Sequence, residues 1–581
     1  YYKKEWEDSP QQGFARAATS YCFGDYEFAQ RIYDYVSKGH FTFASPVLSN
    51  AKEVTWPTFS KDEFKEAGDW LEENVTPEGL PISCFLAAIP DTKEGLVSTS
   101  SECRYLSMMG GGLGIKPNNR APDEKSTGVM AHLKSYDADA LAYKQTESRR
   151  GSIGVYMDID HPEILSFLEM RSPTGGDANK KCFNLNNAVN IPDSFMKKVI
   201  LGEEYELVDP KHGATGRKLK ARDVWTKILQ MRFETGEPYL CFIDTINRNI
   251  PKWITKPTYS VQQSNLCSEI TLMTSLKRTA VCCLSSLNLD KYDEWKDTTI
   301  VEDLVRLLDN VLEYFIRLAP PELNRAVYSA QKERAIGLGT LGYHSYLQRK
   351  GIPFESGGFN SASSITYNLY SEIKSRAVSS SKQLAKERGE PDDCYGSGMR
   401  NSALLAIAPN ASSSDMVGVS PSIEPFAANA FLSEGRAGSF MIRNKHLESK
   451  LEELGLNTKE IWRKIVSSSG SIQSIEEIPE SVKKVFKTFS EIDPKWIIEL
   501  AAIRQEHICQ SQSLNIKVKK DITLPEMSDI HMLAWSKGIK TMYYCRAQRA
   551  GDVQMMGKNT GQPLNKVDVN INFETCLSCE G

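Results

Sequence analysis

Strand-like runs alternate with helical runs through the middle of the chain, from about residue 80 to residue 430. The segment Ser152–Asp158 is rich in residues that favour strands. Farther along, apolar residues recur at helical spacing until the chain reaches Pro320–Pro321: Leu304, Leu307, Leu308, Val311, Leu312 and Phe315. Repeated strand-then-helix units predict an α/β fold whose strands are buried in a large sheet or barrel.

Helical and polar segments flank this α/β region. The first 80 residues favour helices, and the stretch from Glu27 to Val36 is an example. The last 31 residues, from Gly551, are polar and rich in Asn, Gly and Lys. We therefore expect a helical N-terminal region (1–80), an α/β domain (81–550) with a charged helical insertion near 440–495, and a flexible tail (551–581).

Composition and charge exclude several classes of protein. The net charge of −4 argues against a protein that coats nucleic acid through its overall field, so no direct nucleic-acid binding is expected. The sequence has no run of 18 apolar residues, so no membrane span is predicted. The charged start Tyr1–Asp8 does not resemble a signal peptide. Thirteen scattered cysteines favour a reducing cytoplasm, the host's if the source is viral, over a secreted disulfide scaffold.

The segment Ser264–Ile270 carries three functional side chains at alternate positions, Asn265, Cys267 and Glu269. In an extended segment, alternate side chains point the same way, which would place the thiol between an amide and a carboxylate. The competing interpretation is a structural cysteine in a strand with two solvated polar neighbours. From this segment alone that interpretation is the more common one, because free cysteines are usually structural.

A cysteine pair and a tyrosine pair near the end of the chain could take part in redox chemistry or could have no functional role. Cys576 and Cys579 form a CxxC pair three residues from the end. Without a second pair or a nearby histidine this is a poor zinc site, but it suits thiol–disulfide exchange on a flexible arm. A surface pair without a role explains the spacing equally well. Tyr543 and Tyr544 are adjacent in a β-prone run, which usually means core and rim aromatics.

Small and glycine-rich motifs give weaker signals. Ala408–Ser414 is a run of small hydroxyl residues that could bind phosphate ahead of a helix, or be a polar loop. Gly337–Gly342 matches the GxGxxG dinucleotide pattern, but no clear strand precedes it, and close packing of a helix on a sheet explains it better. Gly110–Gly114 lacks the Lys-Ser/Thr of a P-loop, and the eight histidines form no spaced ligand set, so no protein-bound metal is expected.

Taken in order from about residue 40 to the end, these motifs resemble the large, catalytic subunit of class I ribonucleotide reductases. The resemblance implies a ten-stranded α/β barrel with a central finger loop, the fold that ribonucleotide reductases share with glycyl radical enzymes. The matching positions are Phe43–Pro46, Ile82–Cys84, Gly110–Gly112, Arg149–Gly151, Asn265–Glu269, Val281–Cys282, Arg334–Gly339, Pro409–Ser413, Ser422–Pro425, Tyr543–Tyr544 and the C-terminal cysteine pair.

The resemblance assigns the chemistry to particular residues. Cys267 would be the transient thiyl radical, because an S–H bond is close in strength to the ribose 3′ C–H bond. Glu269 would take the 3′-hydroxyl proton as general base, and Asn265 would hold the ribose hydroxyls. Cys84 and Cys282 would be the reducing pair that ends as a disulfide. Cys283 would point to the opposite face of the strand.

The remaining roles concern transfer and binding. Cys576 and Cys579 would reduce the buried disulfide and be restored by thioredoxin or glutaredoxin. Tyr543 and Tyr544 would relay the radical from a separate, metal-containing small subunit, so this chain itself would bind no cofactor covalently. The phosphates of ribonucleoside diphosphates would lie on three residues of the hydroxyl-rich run, with two serines nearby: Ala411, Ser412, Ser413, Ser45 and Ser83.

The resemblance is weaker in the regions that regulate the family. Asp91 and Arg120 match positions that hold an effector nucleotide, but Gln145–Ser148 replaces a more glycine-rich pattern ahead of Arg149. Nucleotide effectors are therefore possible rather than required. The ATP-cone of many relatives is not in this chain, so it is either missing or upstream of Tyr1. A homodimer is expected.

Three other functions are compatible with parts of the sequence. A vitamin B12-dependent reductase would use the same barrel, but it generates its radical beside the thiol and needs no tyrosine relay. A nucleotide-binding dehydrogenase built on Gly337–Gly342 would not need Cys267. A non-catalytic homologue would need none of the five working cysteines, and this chain has all of them.

Overall fold

A computed structural model describes residue 4 and residues 6–77, 79–143, 151–435 and 438–547 of the chain. Three groups of predicted residues lie outside this part of the protein. They are the unusual stretch Gln145–Ser148, the arginine pair Arg149–Arg150, and the tail 551–581 with Cys576 and Cys579.

The helices of the described part are α1 Pro10–Ser20, α2 Tyr26–Ser37, α3 Ser45–Ser49, α4 Phe64–Asn74, α5 Lys93–Met108, α6 Val129–Ala142, α7 Ile164–Leu168, α8 Asp193–Leu201, α9 Ala221–Thr235, α10 Ile243–Arg248, α11 Tyr292–Trp295, α12 Ile300–Leu318, α13 Asn324–Glu333, α14 Tyr343–Arg349, α15 Ala362–Arg388, α16 Ala411–Val417, α17 Lys445–Glu453, α18 Lys459–Ser467, α19 Glu480–Val485, α20 Pro494–Gln505 and α21 Leu524–Ser536. The strands are β1 Phe41–Phe43, β2 Cys84–Ile89, β3 Gly112–Pro117, β4 Ile153–Asp158, β5 Leu185–Asn190, β6 Glu204–Asp209, β7 Gly213–Lys220, β8 Tyr239–Cys241, β9 Ala280–Asn288, β10 Ile336–Leu341, β11 Ala430–Gly435, β12 Gly438–Arg443, β13 Ile516–Val518, β14 Thr541–Met542 and β15 Cys545–Ala547. No helix in the described residues is long and apolar enough to span a bilayer.

Local sequence signals place several of these elements. The N-terminal region is helical as predicted, with α1 to α4 and the short strand β1. In α2, the Asp25 side chain caps the helix by accepting the Phe28 N–H. The leucine-rich run predicted as a helix forms α12, which ends at Leu318, just before the prolines.

Nine strands form one large sheet, and its longest part is parallel. The order β2-β3-β4-β5-β8 contains only parallel pairings. β9 lies antiparallel to β2 and parallel to β10, and β14 lies antiparallel to β8. The sheet therefore contains two parallel groups that run in opposite directions.

Two extended segments, 403–408 and 510–515, close this sheet into a barrel. The Leu338 N–H of β10 donates to Leu404 O (2.8 Å), and the Ile407 N–H donates to Ser511 O (3.1 Å). The Tyr543 N–H then donates to Leu514 O (2.9 Å), which returns the ring to the strand beside β8. The ring so formed has ten members, five in each direction, and confirms the ten-stranded α/β barrel implied by the resemblance.

The chain between α10 and β9 enters this barrel as a finger loop, Ser264–Ile270. On one side it lies so close to β3 that a Cβ on Gly114 would be 2.1 Å from Ser264 O. On the other side, Ser513 Oγ donates to Cys267 O (2.6 Å), and Thr541 Oγ1 donates to Ser268 O (2.7 Å). The loop thus contacts both halves of the barrel, and a glycine in β3 leaves the space it needs.

The GxGxxG pattern lies in the wall of the barrel. Gly337 and Gly339 are inside β10, where a Cβ would be 2.4 Å from Leu284 Cδ2 and 2.7 Å from Ala406 O, respectively. As predicted, no strand precedes the pattern, because α13 lies directly before it, and the glycines are themselves in a strand. Neighbouring strands, not a helix packed on the sheet, account for the small residues, and the dehydrogenase alternative loses its basis.

A helical insertion, here defined as residues 430–486, packs around a second apolar cluster beside the barrel. It begins with the β11–β12 hairpin and continues through α17, α18 and α19. Its core is apolar and includes Leu447, Leu451, Ile461, Trp462 and Ile465. The helices expected near 440–495 are thus preceded by a hairpin that the sequence analysis did not predict.

Candidate active site

Cys84 and Cys282 face each other across the antiparallel pair β2–β9, where they are direct partners in the register. Both side chains are fully buried, and both are free thiols. Opposed residues of an antiparallel pair lie about 4.5–5.5 Å apart at Cα, which is within reach of a disulfide. Burial and the neighbouring thiols of Cys283 and Cys84 raise the pKa of Cys282 well above its ordinary value.

The structure distinguishes Cys282 from its neighbour Cys283. Gln510 Nε2 donates to Cys282 Sγ (3.4 Å) from the barrel segment 510–515. Cys283 Sγ instead donates to Leu308 O (3.2 Å) of α12, outside the barrel wall. The two thiols therefore lie on opposite faces of β9, as alternation along a strand requires.

The finger loop is a turn, and the prediction of an extended segment was wrong. The Ser268 N–H donates to Asn265 O (3.2 Å), and Ser268 has a φ of +68°, which bends the chain between Cys267 and Glu269. The alternative with solvated polar neighbours is also wrong, because Asn265 and Glu269 are 0% exposed. A non-glycine residue with positive φ leaves no sequence signal, which is why the turn was missed.

Asn265 and Glu269 both reach the thiol of Cys84. Asn265 Nδ2 donates to Cys84 Sγ (3.5 Å), and Cys84 Sγ donates to Glu269 Oε1 (3.8 Å). Ser513 Oγ donates to the second carboxylate oxygen of Glu269 (3.2 Å). An amide, a carboxylate and a reducing thiol thus meet in one buried space, despite the bend in the loop.

Hydrogen bonds from the barrel wall and within the loop fix its shape. The Tyr156 hydroxyl donates to Asn265 O (2.6 Å), and burial raises the pKa of Tyr156 well above its ordinary value. Within the loop, Ser264 Oγ donates to Ile270 O (2.6 Å), and the Ile270 N–H donates to Asn265 Oδ1 (3.1 Å). These bonds satisfy backbone groups that would otherwise be buried without partners.

Tyr543 connects the finger loop to a cluster of aromatic rings. The Tyr543 hydroxyl donates to Cys267 Sγ (3.5 Å), and the Tyr543 and Tyr544 ring centroids are 4.3 Å apart. Tyr239 of β8 packs against both rings, at 4.6 Å and 5.0 Å. Asn186 Nδ2 of β5 donates to the Tyr544 hydroxyl oxygen (3.2 Å). Sequence analysis missed Tyr239 and Asn186, because neither belongs to a motif.

The hydroxyl-rich run forms the start of the short helix α16. Asn410, at a φ of +54°, precedes Ala411, and its side chain donates to Ser286 Oγ (2.9 Å) of β9 and to Thr340 O (3.2 Å) of β10. Ser413 is buried, whereas Ala411 and Ser412 are partly exposed. The run is therefore anchored to two barrel strands, and its first two residues remain partly exposed.

The two serines predicted near the phosphates lie on the other side of β9 from β10. Ser83 Oγ is 3.4 Å from Cys84 Sγ, at the start of β2. Ser45 is buried at the first position of α3, directly after β1, whose Phe43 pairs with Ser285 of β9. Ser83 thus lies just before β2 and Ser45 just after β1, and both of these strands pair with β9.

The predicted effector residues Asp91 and Arg120 contact each other, just beyond the carboxyl ends of β2 and β3. Arg120 Nη1 donates to Asp91 Oδ2 (2.7 Å), and Arg120 Nε donates to Asp123 Oδ2 (2.7 Å). Both partners of the first ion pair are largely shielded, with side-chain exposures of 13% and 17%. Among the residues that the structure describes, no group of three His, Cys, Asp or Glu side chains is arranged to hold a metal ion.

Comparisons with known proteins agree with this geometry. The chain matches the family model of the ribonucleotide reductase barrel domain over residues 82–397 and 392–545, and that of the all-alpha domain over residues 1–55. It is 45% identical over 574 residues to a protein of Frog virus 3 (isolate Goorha) provisionally named as a ribonucleoside-diphosphate reductase large subunit, covering 98% of this chain and 95% of that protein.

Two further relatives extend this result. A ribonucleoside-diphosphate reductase large subunit of Invertebrate iridescent virus 3 is 40% identical, over 100% of this chain and 96% of that protein. The solved structure of an Actinobacillus ureae class Id ribonucleotide reductase alpha subunit superposes with a TM-score of 0.78 and 33% identity, covering 93% of this chain and 94% of that one. With the ten-stranded barrel, the finger loop and the tyrosine pair, these matches show that the chain belongs to the class I ribonucleotide reductase large-subunit family.

Proposed function

We propose that this chain is the catalytic subunit of a ribonucleoside-diphosphate reductase, which converts ribonucleoside diphosphates to 2′-deoxyribonucleoside diphosphates for DNA synthesis. The observation that carries the proposal is the convergence of three elements in one barrel. Tyr543 contacts Cys267 on the finger loop, Glu269 lies beside it, and Glu269 contacts Cys84, which pairs with Cys282.

The reaction begins with a hydrogen-atom transfer from the substrate to the finger loop. A thiyl radical at Cys267 takes the 3′ hydrogen of the ribose, and the S–H bond formed is close in strength to the C–H bond broken. Glu269 accepts the proton of the 3′-hydroxyl, while Asn265 donates to the ribose oxygens and holds the ring in place. The same hydrogen atom returns to the 3′ carbon at the end, which restores the radical at Cys267.

The two thiols of β2 and β9 supply the reducing equivalents. One of them protonates the departing 2′-hydroxyl, which leaves as water, and the pair loses two electrons and two protons as it becomes a disulfide. The raised pKa of Cys282 keeps its proton on sulfur until it is needed. The balanced change is ribonucleotide plus dithiol to deoxyribonucleotide, water and disulfide.

Substrate binding, re-reduction and radical supply complete the proposal. The diphosphate would lie on Ala411, Ser412 and Ser413, near Ser45 and Ser83, where hydroxyls and backbone amides are available. Cys576 and Cys579 would reduce the disulfide by exchange and be restored by thioredoxin or glutaredoxin. A small subunit with its own metal centre would pass the radical through Tyr544 and Tyr543 to Cys267.

Regulation and assembly follow the family in this proposal. A nucleotide effector would bind at Asp91 and Arg120, where it would have to compete with the ion pair between them. The working form would be a homodimer in the cytoplasm, with small subunits attached. Two of the relatives are viral. If this chain is also viral, the cytoplasm would be that of the host.

The proposal is tested by an activity assay with added small subunits that carry iron or manganese. We expect up to two deoxynucleotides per chain of pre-reduced enzyme when no external reductant is present, one from the buried dithiol and one from Cys576 and Cys579, and Tyr543→Phe should abolish turnover. Activity with adenosylcobalamin and without a small subunit would instead favour the B12-dependent alternative. If no radical source supports product formation, the proposed function is wrong.

A second experiment tests the exchange pair. Cys576→Ser should block turnover driven by thioredoxin but leave about one turnover of pre-reduced enzyme, because the buried dithiol is still intact. Full thioredoxin-driven turnover of this variant would remove Cys576 from the proposal and leave the chemistry of the barrel unaffected.

A further inference from the structure

A buried carboxylate lies beside the tyrosine pair, and the mechanism above gives it no role. Glu237, between α9 and β8, is 1% exposed. Its Oε2 accepts the Asn187 N–H (2.9 Å) and lies 3.4 Å from Arg171 Nε. Burial raises the pKa of Glu237, while Arg171 acts in the opposite direction. A carboxylate with a paired arginine and a backbone donor is held in one orientation.

Asn186 links this carboxylate to Tyr544. Its Nδ2 donates to Glu237 Oε1 (2.5 Å) and also to the Tyr544 hydroxyl oxygen (3.2 Å). A primary amide nitrogen has two N–H groups, and both are used here. The Tyr544 oxygen is therefore an acceptor toward Asn186, and the phenol's own hydrogen is directed elsewhere.

The Glu237 carboxylate determines the orientation of the Asn186 side-chain amide. The two ends of an amide are similar in shape, and partners determine which end faces a given group. An ionised carboxylate can only accept, so the nitrogen of Asn186 must face Glu237. The same nitrogen faces Tyr544, so the charge on Glu237 fixes the direction of a hydrogen bond that it does not itself make.

We infer that Glu237 is a positioning residue for radical transfer, which acts through Asn186 to keep the Tyr544 oxygen a hydrogen-bond acceptor. The inference rests on the proposed function, in which the Tyr544 radical takes a hydrogen atom, one electron and one proton, from Tyr543. For that exchange the phenol proton must be free to move between the two oxygens. A phenol that donated to the Asn186 carbonyl would have its proton held by a group too weakly basic to take it.

Glu237→Gln separates this role from a purely structural one. The glutamine can still satisfy both neighbours, because its Oε1 can accept the Asn187 N–H while its Nε2 donates to a flipped Asn186 amide. The Asn186 carbonyl would then face Tyr544, and the phenol would become the donor. The size of the side chain is conserved, whereas the negative charge beside Arg171 is lost and the bond to Tyr544 changes direction. A spectroscopic signal from Tyr544 itself distinguishes the second change from the first.

The measurement combines steady-state kinetics of the whole enzyme, small subunit included, with the infrared C–O stretch of isotope-labelled Tyr544. This stretch differs between a phenol that accepts and one that donates. We expect Glu237→Gln to move the band to the donor position and to lower kcat by roughly 10²-fold with KM unchanged. Glu204→Gln, at an exposed position in β6, is the matched control and should change neither quantity.

Each other outcome has a defined meaning. An unchanged band in Glu237→Gln, or a shifted band with normal kcat, overturns the inference. If this variant does not fold, Asn186→Ala replaces it, since it removes the donor to Tyr544, and a normal kcat there also overturns the inference. Normal turnover of Tyr544→Phe would instead count against the proposed radical path, so the two failures can be told apart.

Discussion

The barrel interior and the helical insertion differ in the polarity of the side chains that they bury. The barrel encloses the polar finger loop, and the side chains of Asn265 and Glu269 are fully buried. The core of the insertion is formed mainly by apolar side chains, such as Leu447, Leu451 and Ile465, and the buried polar residues of this region include Asn444 and Lys483. Burying a polar group without a hydrogen bond costs about 1–3 kcal/mol by protein mutational data, so the barrel must supply a partner for each one.

This difference separates the part of the molecule selected for chemistry from the part selected for stability. In the barrel, neighbouring members of the ring donate to the finger loop, as Ser513 and Thr541 do. A change there should affect turnover first. In the insertion, packing supplies the stability, and a change should affect unfolding first.

The largest effect is expected from Cys267→Ser. A serine O–H bond is too strong to exchange hydrogen with a ribose C–H bond, so turnover should fall below detection. Nucleotide binding should stay near normal, because serine is similar in size to cysteine. Cys22→Ser, at another buried thiol but in the N-terminal region, is the control and should remain active. Deoxynucleotide formation by Cys267→Ser would contradict the whole mechanism.

A smaller but still large effect is expected from Gly114→Ala. The added Cβ would lie 2.1 Å from Ser264 O, so the finger loop has to move. A displacement of about 1 Å at a reacting group can cost roughly 10²-fold in rate, and we expect a loss of kcat of that order. Gly357→Ala is the matched control, since its Cβ would meet only Trp496 at 3.4 Å, an ordinary contact. Normal kcat in Gly114→Ala would show that the loop is not held by this close approach.

The barrel interior also marks where sequence reasoning reached its limit. The helix α12 was predicted because its leucines carry a local period. The segments 403–408 and 510–515 were not predicted as barrel strands, because their pairing depends on residues far away in the chain. Glu237 and Asn186 left no signal, since single polar residues become meaningful only when the fold places them beside Tyr544.

The candidate site itself was predicted by motif order, and its geometry was not. Asn265, Cys267 and Glu269 were identified together, but the turn at Ser268 was missed because any residue type can be forced to positive φ by its surroundings. The glycine-rich run at Gly110–Gly114 was recognised as lacking a P-loop and as one match to the family, but no structural role was predicted for it. Its last glycine makes room for the finger loop, which becomes visible only in the folded barrel.

In the insertion, Ile465→Ala should leave chemistry intact and lower stability. Ile465 is 0% exposed in the second apolar cluster, and truncating such a side chain costs about 2–5 kcal/mol. The unfolding transition should therefore move to lower denaturant, while kcat per folded molecule changes less than about twofold. Ser467→Ala, on the exposed side of α18, is the control. A large loss of kcat in Ile465→Ala would mean that the insertion and the active site are coupled.

The smallest effect concerns the junction of the two regions, where His344 of α14 is fully buried. Its Nδ1 accepts the Phe426 N–H (3.0 Å), and burial lowers its pKa from 6.5 to about 3. As pH falls below about 6.5, the unfolded chain binds a proton at this histidine and the folded chain does not. The free energy of unfolding should then decrease by about 1.4 kcal/mol per pH unit from this group, and the decrease ends near pH 3.

His344→Gln tests this term, because the glutamine keeps an acceptor for Phe426 but has no proton to bind. Between pH 6.5 and 5.5 the unfolding free energy of the variant should change by about 1 kcal/mol less than that of the original chain, because the histidine of the unfolded chain is already half protonated at pH 6.5. His132→Gln, at a partly exposed position of α6 away from this junction, is the control variant. Equal pH slopes for the original chain and His344→Gln would mean that the junction admits a charged imidazole. The apolar insertion and the polar barrel would then meet through a more hydrated contact than the burial of His344 indicates.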